Sequence, residues 1–169
     1  MIADSQSSVC RKPAGGVAAV KLTAAANVRQ ADFADGAARS TCVQLDMADD
    51  EAVMECRLLE ERSSLVESLS VEGASAAVKH SLRLVADRNL AEAWLEPRFV
   101  AEMLCRGAVA VVTLTDGRRL VAGVSRRFGL EQPLRLKSLT VDSGRRAVDE
   151  PTVELLLESV DTSFAATMN

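Results

Sequence analysis

Residues 107–143 read GAVAVVTLTDGRRLVAGVSRRFGLEQPLRLKSLTVDS, and the fold turns on how this stretch is paired. Two apolar runs flank Thr115-Asp116-Gly117-Arg118. An Asp-Gly pair between such runs is a strong two-residue hairpin signal, because both turn positions favour positive φ. With Asp116 and Gly117 as the loop, Thr115 faces Arg118, Thr113 opposes Leu120, Val111 opposes Ala122 and Val109 opposes Val124. That register predicts one buried face made of Val109, Val111, Leu120, Ala122 and Val124. Arg119, Val121, Gly123, Ser125 and Arg127 fall on the other face, whose upper part is polar and basic. Residues 134–141 continue as a strand, with Leu134 and Leu136 on one side and Arg135 and Lys137 on the other. Pro133 stands at its start, where a missing backbone donor does least harm.

Upstream of the hairpin the period changes. Leu90 and Trp94, Ala91 and Leu95, Phe99 and Met103, and Val100 and Leu104 are each four apart, which puts each pair on one helical face. Asp87 or Asn89 suits the start and Gly107 the stop. An interior proline breaks a helical hydrogen bond, so the 88–105 region reads as two short helices with Pro97 opening the second.

Further out, Asp142-Ser143-Gly144 turns the chain, and residues 152–160 (TVELLLESV) form a last strand. Val153, Leu155 and Leu157 point inward there, and Glu154 and Glu158 outward. Towards the N-terminus, strands are expected over 17–23, 41–47, 52–60, 64–71 and 75–86. Glu72-Gly73 turns between the last two, and Asp49-Asp50-Glu51 is a charged turn. Residues 27–40 read as a loop, with a short helix left open. The buried face of 64–71 is undecided, and LLEERSSLVE (58–67) also fits a helix. Residues 1–16, with Ser5, Ser7, Ser8, Pro13 and Gly15-Gly16, read as a flexible arm. Many short strands and one helical region predict an α+β, mainly antiparallel β fold, organised as a single domain over 17–169. Its form is a β-sandwich or partly open barrel with one flanking, Pro-broken helix. GVAAVKLT at 16–23 and GAVAVVTLT at 107–115 also echo one another in small apolar composition.

Composition narrows the function classes. The chain has 169 residues, no Tyr, one Trp and four Phe, so Val, Leu and Ala must build the core. A net charge of -4 and a pI near 5.1 leave no overall electrostatic footprint for nucleic acid. Charge is segregated, however. Residues 107–148 carry eight basic and three acidic side chains, whereas 149–169 carry five acidic and no basic ones. Arg118, Arg119, Arg126, Arg127, Arg135 and Lys137 are therefore the candidate interaction surface, against the plainer reading of a solvated strand face. Phe128 is the one aromatic near these cations that could stack on a base, which argues against a nucleic-acid partner.

Catalytic chemistry is sparse. His80, in VKHSLRL, shares the apolar phase with Val78, Leu82 and Leu84. It is either a general base or a strand histidine bonded to backbone, and the second reading fits better. Ser163 has no elbow motif around it. Cys10, Cys42, Cys56 and Cys105 show no C-x-x-C pair, and with one histidine they make no metal site. Asp46, Asp49, Asp50 and Glu51 lack the spacing of a calcium loop and read as a solvated turn. Gly15-Gly16 is no phosphate loop, and no cofactor motif is present. Trp94 and Phe99 read as core anchors, or as pocket walls if the protein binds a ligand. No secretory signal opens the sequence, and no run approaches the ~20 apolar residues of a membrane helix. Reduced thiols in the cytoplasm are the expectation.

In order, DRNLAEAWLEPRFVAEMLCRG, AVAVVTLTDGRRLVAGVSRRFG, EQPLRLKSLTVDSG and PTVELLLESVDTSF resemble small Bacteroides-type proteins of prophage structural genes. The outline over this second half is also similar to the phage tail-tube family. The resemblance implies a β-sandwich or barrel with one flanking helix, assembled into stacking hexameric rings as type VI secretion tube proteins are. It further implies phage structural proteins as partners and a place in the virion. It carries over no site residues. The expected function is thus a non-enzymatic assembly subunit that self-associates through β edges and charge bands. The alternative is a small ligand- or protein-binding β module.

Overall fold

Apolar residues on one or both sides of short extended runs create the strands of the computed structural model, which describes residues 15–169. In chain order these are β1 (Val17–Ala24), β2 (Val28–Ala34), β3 (Thr41–Met47), β4 (Met54–Cys56), β5 (Ser64–Glu72) and β6 (Ser75–Asp87). After the helical region follow β7 (Ala108–Leu114), β8 (Arg119–Ala122), β9 (Arg135–Asp142), β10 (Thr152–Asp161) and β11 (Ala166–Met168). The single α-helix among the described residues, α1 (Pro97–Cys105), has proline at its first turn and follows a 3-10 turn at Glu92–Leu95. This is the two-part helix that the proline predicts. Gly107 ends it at φ 74°, donating its N–H to Glu102 O.

Two sheets divide the strands. The larger runs β2-β3-β11-β8-β7-β1-β4 and the smaller β5-β6-β10-β9. All ladders are antiparallel except β3 with β11, which is parallel. The fold is mostly β with one helix, and neither sheet closes on itself. The larger sheet is nevertheless strongly curved. β1 and β2 stand five places apart in the sheet, at positions six and one, yet only the three residues Ala25–Asn27 connect them.

That curvature produces two cores. The first lies between the sheets and under α1. Leu82, Leu84, Val153, Leu155 and Leu157 of the small sheet meet Val20, Leu22, Ala110 and Val112 of the large one, with Trp94 and Met103 from the helical region. The second lies on the opposite face of the large sheet and contains Val28, Cys42, Val109, Val121, Val124 and Ala166. The inward set on β10 falls where the sequence puts it: Val153, Leu155 and Leu157 are fully buried. Trp94 and Phe99 join the first core, as anchors should. The echoing segments at 16–23 and 107–115 turn out to supply neighbours, for β1 pairs with β7 along its length.

Several expectations need correction. The 107–143 hairpin is shifted by one residue: Thr113 pairs Arg119, Val112 pairs Leu120, Val111 pairs Val121 and Ala110 pairs Ala122. The loop is three residues, Thr115 to Gly117, closed by Leu114 N–H to Arg118 O. Ala122 belongs to the first core, Val109 and Val124 to the second, and Val111 packs on the second half-buried. Gly123, at φ 91°, flips the chain between Ala122 and Val124, and a Cβ there would meet Ala108 O at 2.4 Å. Residues 27–40 are no loop, since they contain β2. Only Val28 of that edge strand is buried, so its polar exposed residues mask it. The strand expected over 52–60 is cut to three residues by a 3-10 turn at Asp50–Ala52 before it and by the chain leaving for the other sheet after it. The arm over residues 1–16 and Cys10 lie outside the described residues, except that Gly15 O and Gly16 O accept from Thr115 at the hairpin tip.

Candidate functional site

Among the described residues the smaller sheet has two free edges, and its residues differ at each. β5, SLVESLSVE, contains two glutamates and no base, whereas β9, RLKSLTVD, begins with Arg135 and Lys137. On β5 Val66, Leu69 and Val71 are 55%, 52% and 65% exposed. The hairpin of β5 and β6 also outruns its sheet. β10 makes its last rung at Asp161 with Val78, while β5 and β6 stay paired through Glu72 and Ser75. A long, unpaired, apolar edge strand is a template for pairing with another chain, which proteins otherwise protect with lysine, proline or inward charge.

Glu67 is an inward charge, but it is already consumed inside the subunit. The ladder sets Glu67, His80 and Ser159 in one rung across β5, β6 and β10. Arg39 reaches Glu67 with both terminal nitrogens, at 3.0 Å and 2.6 Å. The Ala165 N–H donates to Glu67 Oε1 at 2.6 Å. His80 Nε2 stands 3.1 Å from Ser163 O and 3.5 Å from Glu67 Oε1, and His80 Nδ1 lies 3.4 Å from Ser159 Oγ. Arg39 further donates to Ala165 O and stacks over Phe164 at 5.4 Å. The cluster therefore fastens the small sheet to the 35–40 connection and to the chain entering β11. His80 is buried and bonded to backbone, matching the second sequence reading. Ser159, His80 and Glu67 line up in the order of a nucleophile relay, yet Ser159 and His80 are buried and their hydrogen bonds serve the fastening. The row was unreadable in sequence because its three members come from three strands.

The six candidate cations do not form one surface. Arg118 closes the hairpin loop against Leu114, and its N–H and then its guanidinium bond Asp116 and hold that carboxyl below the usual carboxylate range. Arg119 sits on β8. Arg126 pairs with Asp35, and Arg127 lies over the Phe128 ring at 5.4 Å. Arg135 and Lys137 are on β9, where the ladder brings the basic band against the acidic tail. Arg135 opposes Glu158, and Lys137 Nζ is 4.0 Å from it. Lys79 at 3.0 Å from Glu158, and Arg83 bidentate to Glu154, complete an ionic outer face. Hydrogen bonding and charge from Arg83 hold the Glu154 carboxyl below its ordinary range.

Elsewhere, a cavity of about 320 Å³ lies under α1, lined by Phe99, Met103, Met54 and Leu22, while Trp94 is sealed below the surface with Nε1 donating to Met54 Sδ. Asp49 caps the 3-10 turn by accepting from Glu51 N–H, so the acidic run is a capped turn. Among the described residues no three His, Cys, Asp or Glu side chains group as a metal site. Burial pushes the Cys56 thiol up to about 12 and raises Cys42 as well, whereas Cys105 is exposed. No described helix is long and apolar enough to cross a membrane. No protein-family model matches the chain, and no curated protein or solved structure matches it.

Proposed function

We propose that the protein is a non-enzymatic assembly subunit whose small sheet continues from copy to copy, β5 of one pairing with β9 of the next, as the tail-tube resemblance anticipates. The carrying observation is the match between these two free edges. β5 and β9 run in opposite directions within the sheet, each being separated from the other by an odd number of antiparallel steps. Copies related by rotation about an axis along the strands therefore meet antiparallel, the ladder used throughout this sheet.

One register satisfies both faces. Leu69 meets Leu139 of the next copy and Ser70 meets Ser138, with Lys137 kept as the extra residue that it already is against β10. Val71 then meets Leu136, and Glu72 meets Arg135. Apolar pairs fall on the core side, the small polar pair outside, and the single charge pair is of opposite sign. Each such cross-strand pair contributes roughly 0.2–1 kcal/mol. Within one copy Arg135 shares its rung with Val66, so setting it against Glu72 staggers neighbours by six residues along the strand. A stagger of this kind is what tilts strands when a sheet closes into a ring. A sandwich of this sheet on the curved one would form the wall of that ring.

Light scattering across concentration, followed by microscopy of concentrated protein, tests this. Oligomers of defined size, with rings or tubes, are expected; a protein that stays monomeric at high concentration would overturn the reading. Leu69→Lys with Val71→Lys should give monomers. Glu72→Lys should weaken association, and adding Arg135→Glu should restore it, because the swapped pair again has opposite charges. Failure of the double variant to recover would sink this register.

A further inference from the structure

The curved sheet encloses a second feature, independent of the β5 and β9 edges. β1 and β3 are four strand positions apart, yet both line one cavity of about 310 Å³. Its apolar surface comes chiefly from Val109 and Val111 of β7 with Leu45 and Met47 of β3. The bulge that inserts an extra residue into β3 against Phe33 puts Leu45 and Met47 on the same face as buried Cys42. The cavity thus opens directly onto the second core, through residues that are only half-buried. Met47, and Met168 from β11, give the wall side chains that adapt to shape.

Charge at this cavity is sparse and biased. Among the described residues its ionised lining is Lys21, Arg119 and Asp50. Lys21 shares the rung of Val111, and Arg119 sits two strands away opposite Thr113, so both long side chains lie on the cavity side of the sheet. Arg119 has no side-chain hydrogen bond or ion pair among the described residues. Lys21 is 3.3 Å from Glu55, but both ends are well exposed, at 59% and 76%, and such a pair is weak. An apolar trough beside an unpaired guanidinium and a loosely held ammonium matches a ligand with one apolar chain and one anionic head. Arginine presents the planar fork that a carboxylate accepts in two hydrogen bonds. Asp50 disfavours a doubly charged head. The volume stands at the small end of the ~300–1,000 Å³ typical of small-molecule sites, which suits a medium-length chain.

We propose that this cavity binds a medium-chain alkyl carboxylate, with the chain over Val109 and Val111 between β1 and β3 and the head on Arg119, assisted by Lys21. Decanoate, titrated calorimetrically into the full chain below its aggregation concentration, is the probe. Saturable binding with one ligand per subunit is expected. Decan-1-ol, of equal chain length but uncharged, should bind about tenfold more weakly, the loss that one charge-assisted hydrogen bond represents. Arg119→Glu, at an exposed position without partners, should lower decanoate affinity by at least about tenfold while leaving unfolding unchanged. Met47→Trp, which fills the half-buried side of the trough, should abolish binding, and Val111→Trp serves if Met47→Trp does not fold. No saturable binding of decanoate would overturn the proposal, as would equal affinity for decyltrimethylammonium. Unchanged affinity in Arg119→Glu or in the filled-cavity variant would overturn it too.

Discussion

Glu67 shows how one side chain is spent on holding the molecule together. Its carboxylate takes two guanidinium nitrogens of Arg39 and the Ala165 N–H, and His80 closes the fourth side. Only 8% of the Glu67 side chain is exposed, so removing it leaves the Ala165 N–H without its acceptor and Arg39 with Ala165 O alone, while His80 keeps Ser163 O. Glu67→Ala should therefore lose about 2–4 kcal/mol in denaturant unfolding, reaching below the ~3–5 kcal/mol of a fully buried pair because the Arg39 side chain is 28% exposed. Glu67→Gln should lose less, because its carbonyl oxygen still accepts from the amide. Equal stability of Glu67→Ala and the parent would show the cluster to be ornamental.

The hairpin of β7 and β8 takes its register from its loop and not from its apolar pattern. A slip of one residue normally moves a strand's apolar set from core to solvent and is forbidden by that cost. Here both faces of β7 are covered, Ala108, Ala110 and Val112 by the first core and Val109 by the second. The apolar pattern is then indifferent between registers, and the three-residue loop decides. The helical region behaves otherwise, because its breakpoints are local. Pro97 and Gly107 mark α1 from sequence alone, and the structure adds why Gly107 tolerates no replacement. Its φ is 74°, and a Cβ would stand 2.7 Å from Pro133 Cγ and 2.8 Å from Leu134 O. Gly107→Ala should cost more than about 1 kcal/mol, measured as a lower midpoint in urea. A smaller loss would mean that the lead into β9 gives way freely.

Across the whole molecule, the last three strand residues hold the large sheet together. β11 lies between β3 and β8, pairing Thr167 with both Thr41 and Leu120. Without it the order β2-β3-β11-β8-β7-β1-β4 falls into two pieces, since no ladder joins β3 to β8 directly. Truncation after Asp161 should release β2 and β3 and open the second core. Amide exchange of residues 28–47 should become fast while β6 and β10 stay protected. Uniform protection in the truncated protein would contradict this. The same deletion removes Met168 from the trough lining, so it links the integrity of the curved sheet to ligand binding there.

Much of this was legible in the chain because it depends on neighbours in sequence. The inward run of β10, the two-part helix, the β5–β6 turn and the α+β class follow from period, proline and glycine, which act over a few residues. What the tertiary structure alone decided depends on residues far apart in sequence. The curvature that gives β7 two buried faces, the burial of Glu67 by Arg39, the bulge that turns Leu45 and Met47 to the trough, and the parallel rung of β11 all arise when distant segments meet. β2 stayed hidden for the same reason. An edge strand with one buried residue is specified by its partner β3, which supplies the hydrogen bonds that its own composition does not advertise.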